Sequence, residues 1–159
     1  MNQLLIKQTV ILSAILGGIF GVLTLIPFVR NFTFMILILC ISAVIIVYMK
    51  KRDLIGVIDL KEGSVLGGII GFVSFITFSI AFIPLVTIVG AILPKYYTYG
   101  ISYLFKVSGF FVLVMLVVFL AVLSALMNAF AGLVTAYVYE ILSGIKKEEN
   151  KNVDFEIKE

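Results

Sequence analysis

Asn128 and Glu140 are the residues on which any intramembrane chemistry would have to rest. They are the one carboxamide deep inside, and the one carboxylate inside, the long apolar runs of this chain. Ser124, Asn128, Gly132, Ala136 and Glu140 recur at every fourth position, with Ala121, Ala125 and Ala129 on the adjoining stripe. Residues four apart share a helix face, so this spacing predicts a small, polar face on a helix otherwise built from Val, Leu, Phe and Met. A polar group within a membrane helix is a functional hypothesis by default. For Asn128 the competing reading is an interhelical hydrogen bond of about 1 kcal/mol. Glu140 lies about two turns from Lys146 and Lys147. Snorkelling, or pairing with Lys50, Lys51 or Arg52, is favoured there over proton relay. Ser74, Thr77, Ser79 and Thr87, near Pro84, are the remaining polar side chains that could line a path. The chain has no histidine and a single cysteine, Cys40. Triads built on histidine, zinc sites and an intramolecular disulfide are thereby removed, and no catalytic, metal-binding or cofactor-binding residue is expected.

The elements that carry these residues follow from composition. Of 159 residues, 62% are hydrophobic and 13% charged. Soluble domains average about 25% charged residues, so the balance is that of an integral membrane protein. Charges are missing over long stretches: Arg30 stands alone between Lys7 and Lys50, and Lys95 and Lys106 alone between Glu62 and Glu140. With about 20 apolar residues needed per crossing, the gaps predict four spans, near 8–29, 32–49, 64–93 and 109–143. The fold class is therefore all-α, a polytopic transmembrane four-helix bundle (domain 1–143), followed by a disordered cytoplasmic tail over 144–159. Pro27, followed by Arg30 and Asn31, predicts a tight reversal closing the first span. Pro84 is the expected kink in the third. The first run is too long for a signal segment and lacks a cleavage site of small residues, so it reads as a retained span.

Residues 14–23 (AILGGIFGVL) align with 64–73 (SVLGGIIGFV), with five of ten positions identical and three of those glycine. In the first span the stripe is Ser13, Gly17 and Gly21 with Gly18 beside it. In the third it is Gly63, Gly67 and Gly71 with Gly68 beside it. Such a stripe lets another backbone approach closely, as in a glycine zipper, and predicts that spans one and three pack together. The match also admits two repeated helical hairpins related by an axis along the membrane normal. The competing account is that small-xxx-small faces arise without duplication.

Orientation comes from Lys and Arg. One side collects Lys7, Lys50, Lys51, Arg52, Lys61, Lys146, Lys147, Lys151 and Lys158, the other Arg30, Lys95 and Lys106. Both termini are thus expected in the cytoplasm of a cell with this protein in its inner membrane. All nine Asp and Glu fall on the first side. The net charge of +3 therefore resides on the outer face and gives no reason to expect nucleic acid. In the loop over residues 50–63, Leu54, Val57, Ile58 and Leu60 are expected against the lipid headgroups. Tyr96, Tyr97, Tyr99 and Tyr103 of the outer loop read as an interfacial belt.

The order of four spans, the basic loop KKRDLIGVIDLKEG and the third span opening Ser64-Val65-Leu66-Gly67-Gly68 resemble small four-span bacterial inner-membrane proteins of unknown function. That resemblance implies the layout and carries no site residues. The residues point to a non-enzymatic structural or accessory subunit, in contact with the lipid bilayer and with copies of itself or other membrane subunits. The alternative is an oligomeric channel or transporter for an ion or small solute.

Overall fold

A computed structural model describes residues 3–52, 54–56, 58–92 and 101–156, with side chains undescribed over 101–108 and 143–156. Among the described residues every regular element is a helix: α1 (Gln3–Leu23), α2 (Pro27–Leu39), α3 (Ile41–Lys51), α4 (Leu60–Ile92) and α5 (Ile101–Glu156). Three helical stretches are long and apolar enough to cross a membrane, namely α1, α4 and Gly109–Leu142 of α5. The pair α2 and α3 makes a fourth if counted as one bent span.

The first reversal falls earlier than the proline suggests. α1 stops at Leu23, and the amides of Leu25 and Ile26 reach back three residues, to Val22 and Leu23, in a tightened turn. Pro27 then occupies the first turn of α2. It opens the second element instead of closing the first, because at that position its missing N–H would have no intrahelical partner in any case. α4 passes through Pro84 as one continuous helix. The proline costs the bond to the Ile80 carbonyl without ending the element. α5 has its non-helical point at Gly109 (φ 74°, ψ 168°), a conformation that favours glycine. The helical backbone of α5 continues to Glu156, through the segment read above as a disordered tail. Extending an existing helix costs far less than starting one, and Lys and Glu are good helix formers.

α4 lies between α1 and α5. Ser13, Gly17 and Gly21 of α1 meet Ser74, Thr77, Phe78 and Ala81 of α4 in rising order, so these helices run parallel. Gly63, Gly67 and Gly71 of α4 meet Ala136, Gly132, Asn128 and Ser124 of α5 in falling order, so that pair is antiparallel. α3 ends beside the start of α1, where the Thr9 hydroxyl donates to Met49 Sδ at 3.6 Å. Lys7, the Lys50–Lys51–Arg52 cluster and the start of α4 therefore gather at one end of the bundle. Within the connecting loop, Lys50 Nζ donates to the Gly56 carbonyl at 2.7 Å, and Asp59 Oδ1 accepts from the Leu60 amide at 2.8 Å, capping α4. Ile55 and Ile58 are buried in the core, while Leu54 is exposed. Ile58 thus turns inward and is unavailable to headgroups, since the loop folds over the bundle end. Val57 lies outside the described residues.

At the opposite end the core is aromatic. Phe34 of α2 sets its ring edge-on to Phe75 and Phe78 of α4, and Phe78 stacks on Phe82 at 5.2 Å between centroids. A groove of about 200 Å³ opens beside these rings, bounded on the α5 side by Leu113, Leu116 and Val117.

Candidate functional site

Residues 32–49 contain neither proline nor glycine, yet α2 and α3 meet at Cys40 with a bend of 72°. Such a bend strips the last carbonyls of α2 and the first amides of α3 of their intrahelical partners. In hydrocarbon each orphaned group is expensive, so irregular backbone persists there only where protein satisfies it. Asn128 does so.

The Asn128 side chain is fully buried and reaches both sides of the break. Its Oδ1 accepts from the Ser42 amide at 2.9 Å. Its Nδ2 donates to the carbonyls of Leu37 at 3.1 Å and Ile38 at 2.9 Å. The same amide group lies 3.0 Å from the Ser124 carbonyl, one turn earlier in α5. A carboxamide carries a donor and an acceptor at one tip, so it can serve a freed C=O and a freed N–H together; a hydroxyl or a carboxylate cannot match that set at this reach. Ser42 Oγ returns a bond to the Asn128 carbonyl at 2.8 Å. Ser124 Oγ lies between the carbonyls of Gly71, at 3.2 Å, and Leu37, at 3.4 Å, which ties α4 to α2.

The glycines of α4 set the distance at which this works. A Cβ at Gly67 would run into the Asn128 carbonyl oxygen, and one at Gly71 would lie 2.5 Å from the Ser124 carbonyl oxygen and 2.7 Å from Asn128 Cβ. At Gly63 it would lie 2.6 Å from Ala136 Cβ. The α4 glycines, the polar face of α5 and the break between α2 and α3 therefore form one junction.

The two sequence-matched glycine stripes are used differently. Gly67 and Gly71 receive α5, whereas Gly17 and Gly21 receive the Ser74–Thr77 and Phe78–Ala81 surface of α4, so α1 and α4 do pack together but not stripe against stripe. A Cβ at Gly18 would meet nothing within 4 Å, and one at Gly68 would make only ordinary contact with Ala129 and Ala125. The four α4 hydroxyls that could line a path are occupied by backbone. Ser74 donates to the Ser13 carbonyl at 3.2 Å, and Thr77, Ser79 and Thr87 donate to carbonyls of their own helix. Among the described residues no buried side-chain nitrogen or oxygen lacks a partner, and no group of three His, Cys, Asp or Glu side chains comes together. Glu140 is exposed, one turn beyond Ala136, and belongs to the basic end of the bundle instead of the junction. Tyr96, Tyr97 and Tyr99 lie outside the described residues, as does the side chain of Tyr103.

Ser42 and Cys40 are the residues that sequence reasoning misses. Their one signal is weak: Ser42 is the sole aliphatic hydroxyl in the second half of its apolar run and could have been paired with Asn128.

No family model, curated protein or solved structure matches this chain.

Proposed function

We propose that the chain is a non-enzymatic, four-span inner-membrane protein with both termini cytoplasmic, acting as a structural or accessory subunit beside other membrane helices. The observation that carries this reading is the closure of the polar junction. Every hydrogen-bonding atom of the Asn128 side chain is committed to backbone or to Ser124, which leaves the residue a lock between helices with nothing presented to a solute. The count of four spans is supported by α3 ending beside the beginning of α1. With a bend of 72° and a rise of about 1.5 Å per residue, α2 and α3 together reach about 29 Å, close to the roughly 30 Å of hydrocarbon to be crossed. The orientation rests on the lysines and arginines gathered at one end. Reporter fusions at the two termini should both signal cytoplasm; a periplasmic signal from either one would contradict the orientation.

The small-residue stripes are consumed within the monomer, so partner contacts fall to the outer surfaces, above all the broad apolar face of α5. Native mass spectrometry of gently solubilised protein should show a homo-oligomer or a complex with a second membrane protein. A bare monomer under conditions that keep the fold would overturn the accessory role. One observation favours the conduit reading, namely that discontinuous helices mark substrate sites in many transporters. Here the freed ends face Asn128 rather than a cavity, which is why the structural reading is preferred.

A further inference from the structure

The aromatic half of the bundle carries a recess whose position and charge surroundings point to a ligand. The groove of about 200 Å³ is lined by Phe34 of α2, Phe75, Phe78 and Phe82 of α4, and Leu113 and Leu116 of α5, with Ser79 its main polar contribution. Leu116 on its rim is 43% exposed, so the groove opens on the outer, apolar surface of the bundle. Ser79 already donates to the Phe75 carbonyl at 2.9 Å, leaving a wall that offers little to water. Arg30 stands four residues before Phe34, on the same face of α2 and about 6 Å farther along the helix axis. It is exposed, and no Asp or Glu occurs anywhere before residue 53 or between residues 62 and 140. The countercharge for Arg30 at this end of the bundle must therefore come from outside the protein.

We propose that this groove holds an acyl chain of an anionic phospholipid whose headgroup phosphate is bound by Arg30. The inference rests on the membrane-spanning reading of the helices. An apolar cavity of about 150 Å³ is enough to take up benzene, so this recess admits a length of hydrocarbon chain. The guanidinium provides the planar donor fork that matches phosphate oxygens. Basic residues beside interhelical recesses are a general means of holding lipid headgroups.

The chain contains no tryptophan, so a single introduced indole reports on one place. Phe82→Trp puts it in the groove, with Leu116→Trp at the rim as a second reporter should the first fail to fold. Phe119→Trp puts it on α5 at a side chain that is 67% exposed and does not line the groove. Each protein is reconstituted in vesicles of mixed anionic and zwitterionic phospholipid with acyl-chain bromine on one lipid or the other. The groove reporter should show roughly fivefold preference for quenching by the anionic lipid, lost in the Arg30→Gln background, while Phe119→Trp shows no preference in either. Equal quenching by both lipids at groove and surface would overturn the lipid site. Absence of quenching at Phe119→Trp by any lipid would instead overturn the membrane reading, and the lipid site with it.

Discussion

Asn128→Leu is expected to lower the stability of the fold by about 3 kcal/mol. Leucine keeps the same branched skeleton of four side-chain heavy atoms and leaves no cavity, so the loss is mainly one of hydrogen bonding. It removes the one side chain that serves the carbonyls of Leu37 and Ile38 and the amide of Ser42 at once. Interhelical hydrogen bonds in membranes average only about 0.6 kcal/mol each, because an unfolded span finds other partners. The break at Cys40 raises that figure, since the Ile38 carbonyl and the Ser42 amide would be left without partners and the Leu37 carbonyl with only the Ser124 hydroxyl at 3.4 Å, at about 1–3 kcal/mol for each orphaned group. Asn128→Asp should fail almost as badly. An ionised side chain keeps the acceptor for Ser42 but provides no donor for the two carbonyls, and a protonated one provides a single donor where two are needed. Unfolding midpoints in mixed detergent micelles check both variants, and a change below about 1 kcal/mol in Asn128→Leu would reduce Asn128 to an ordinary interhelical contact.

Gly67→Leu is expected to abolish the folded bundle, and Gly67→Ala to cost about 1–3 kcal/mol by overpacking. The new Cβ would meet the backbone of Asn128, which is fixed by the same junction and cannot move aside as a side-chain end would. Separating α4 from α5 there also draws Asn128 away from the broken span, so packing and hydrogen bonding fail together. Gly18→Ala serves as the control. Nothing lies within 4 Å of its Cβ position, and replacing a helical glycine by alanine should be neutral or stabilise by up to about 1 kcal/mol. An alanine at Gly67 that is as neutral or stabilising as one at Gly18 would show that helix propensity, not the close approach of α4 and α5, governs both sites.

The sequence makes the helical class, the apolar spans and the small-residue faces plain because each is a local pattern: charge-free runs of about 20 residues, or glycines four apart. The break in the second span has no such pattern. It is made by a side chain 86 to 91 residues away in sequence, inserted into a helix ladder whose own residues contain no breaker. This is a known cause of sharp bends, and it leaves no mark within the bent segment. The same separation explains why Asn128 reads as one interhelical bond when it makes several. The partners of the glycine stripes were likewise hidden. A stripe says that a backbone comes close, but not which one, and α4 uses its stripe for α5 while offering a different face to α1. Pro27 misleads by a few residues for a local reason, since a proline ends one helix or begins the next equally well.

If Asn128 seals the broken span, the thiol at the break should be inaccessible from water. Cys40 is the sole cysteine and is exposed on the surface of the bundle at the break between α2 and α3, where the proposed four-span reading puts lipid. In sealed vesicles a charged, membrane-impermeant maleimide should leave Cys40 unmodified from either side, with full labelling after denaturation, because a charged reagent is excluded from hydrocarbon. Rapid labelling of the native wild-type protein would mean that water reaches the break, contradicting the closed junction and favouring a conduit.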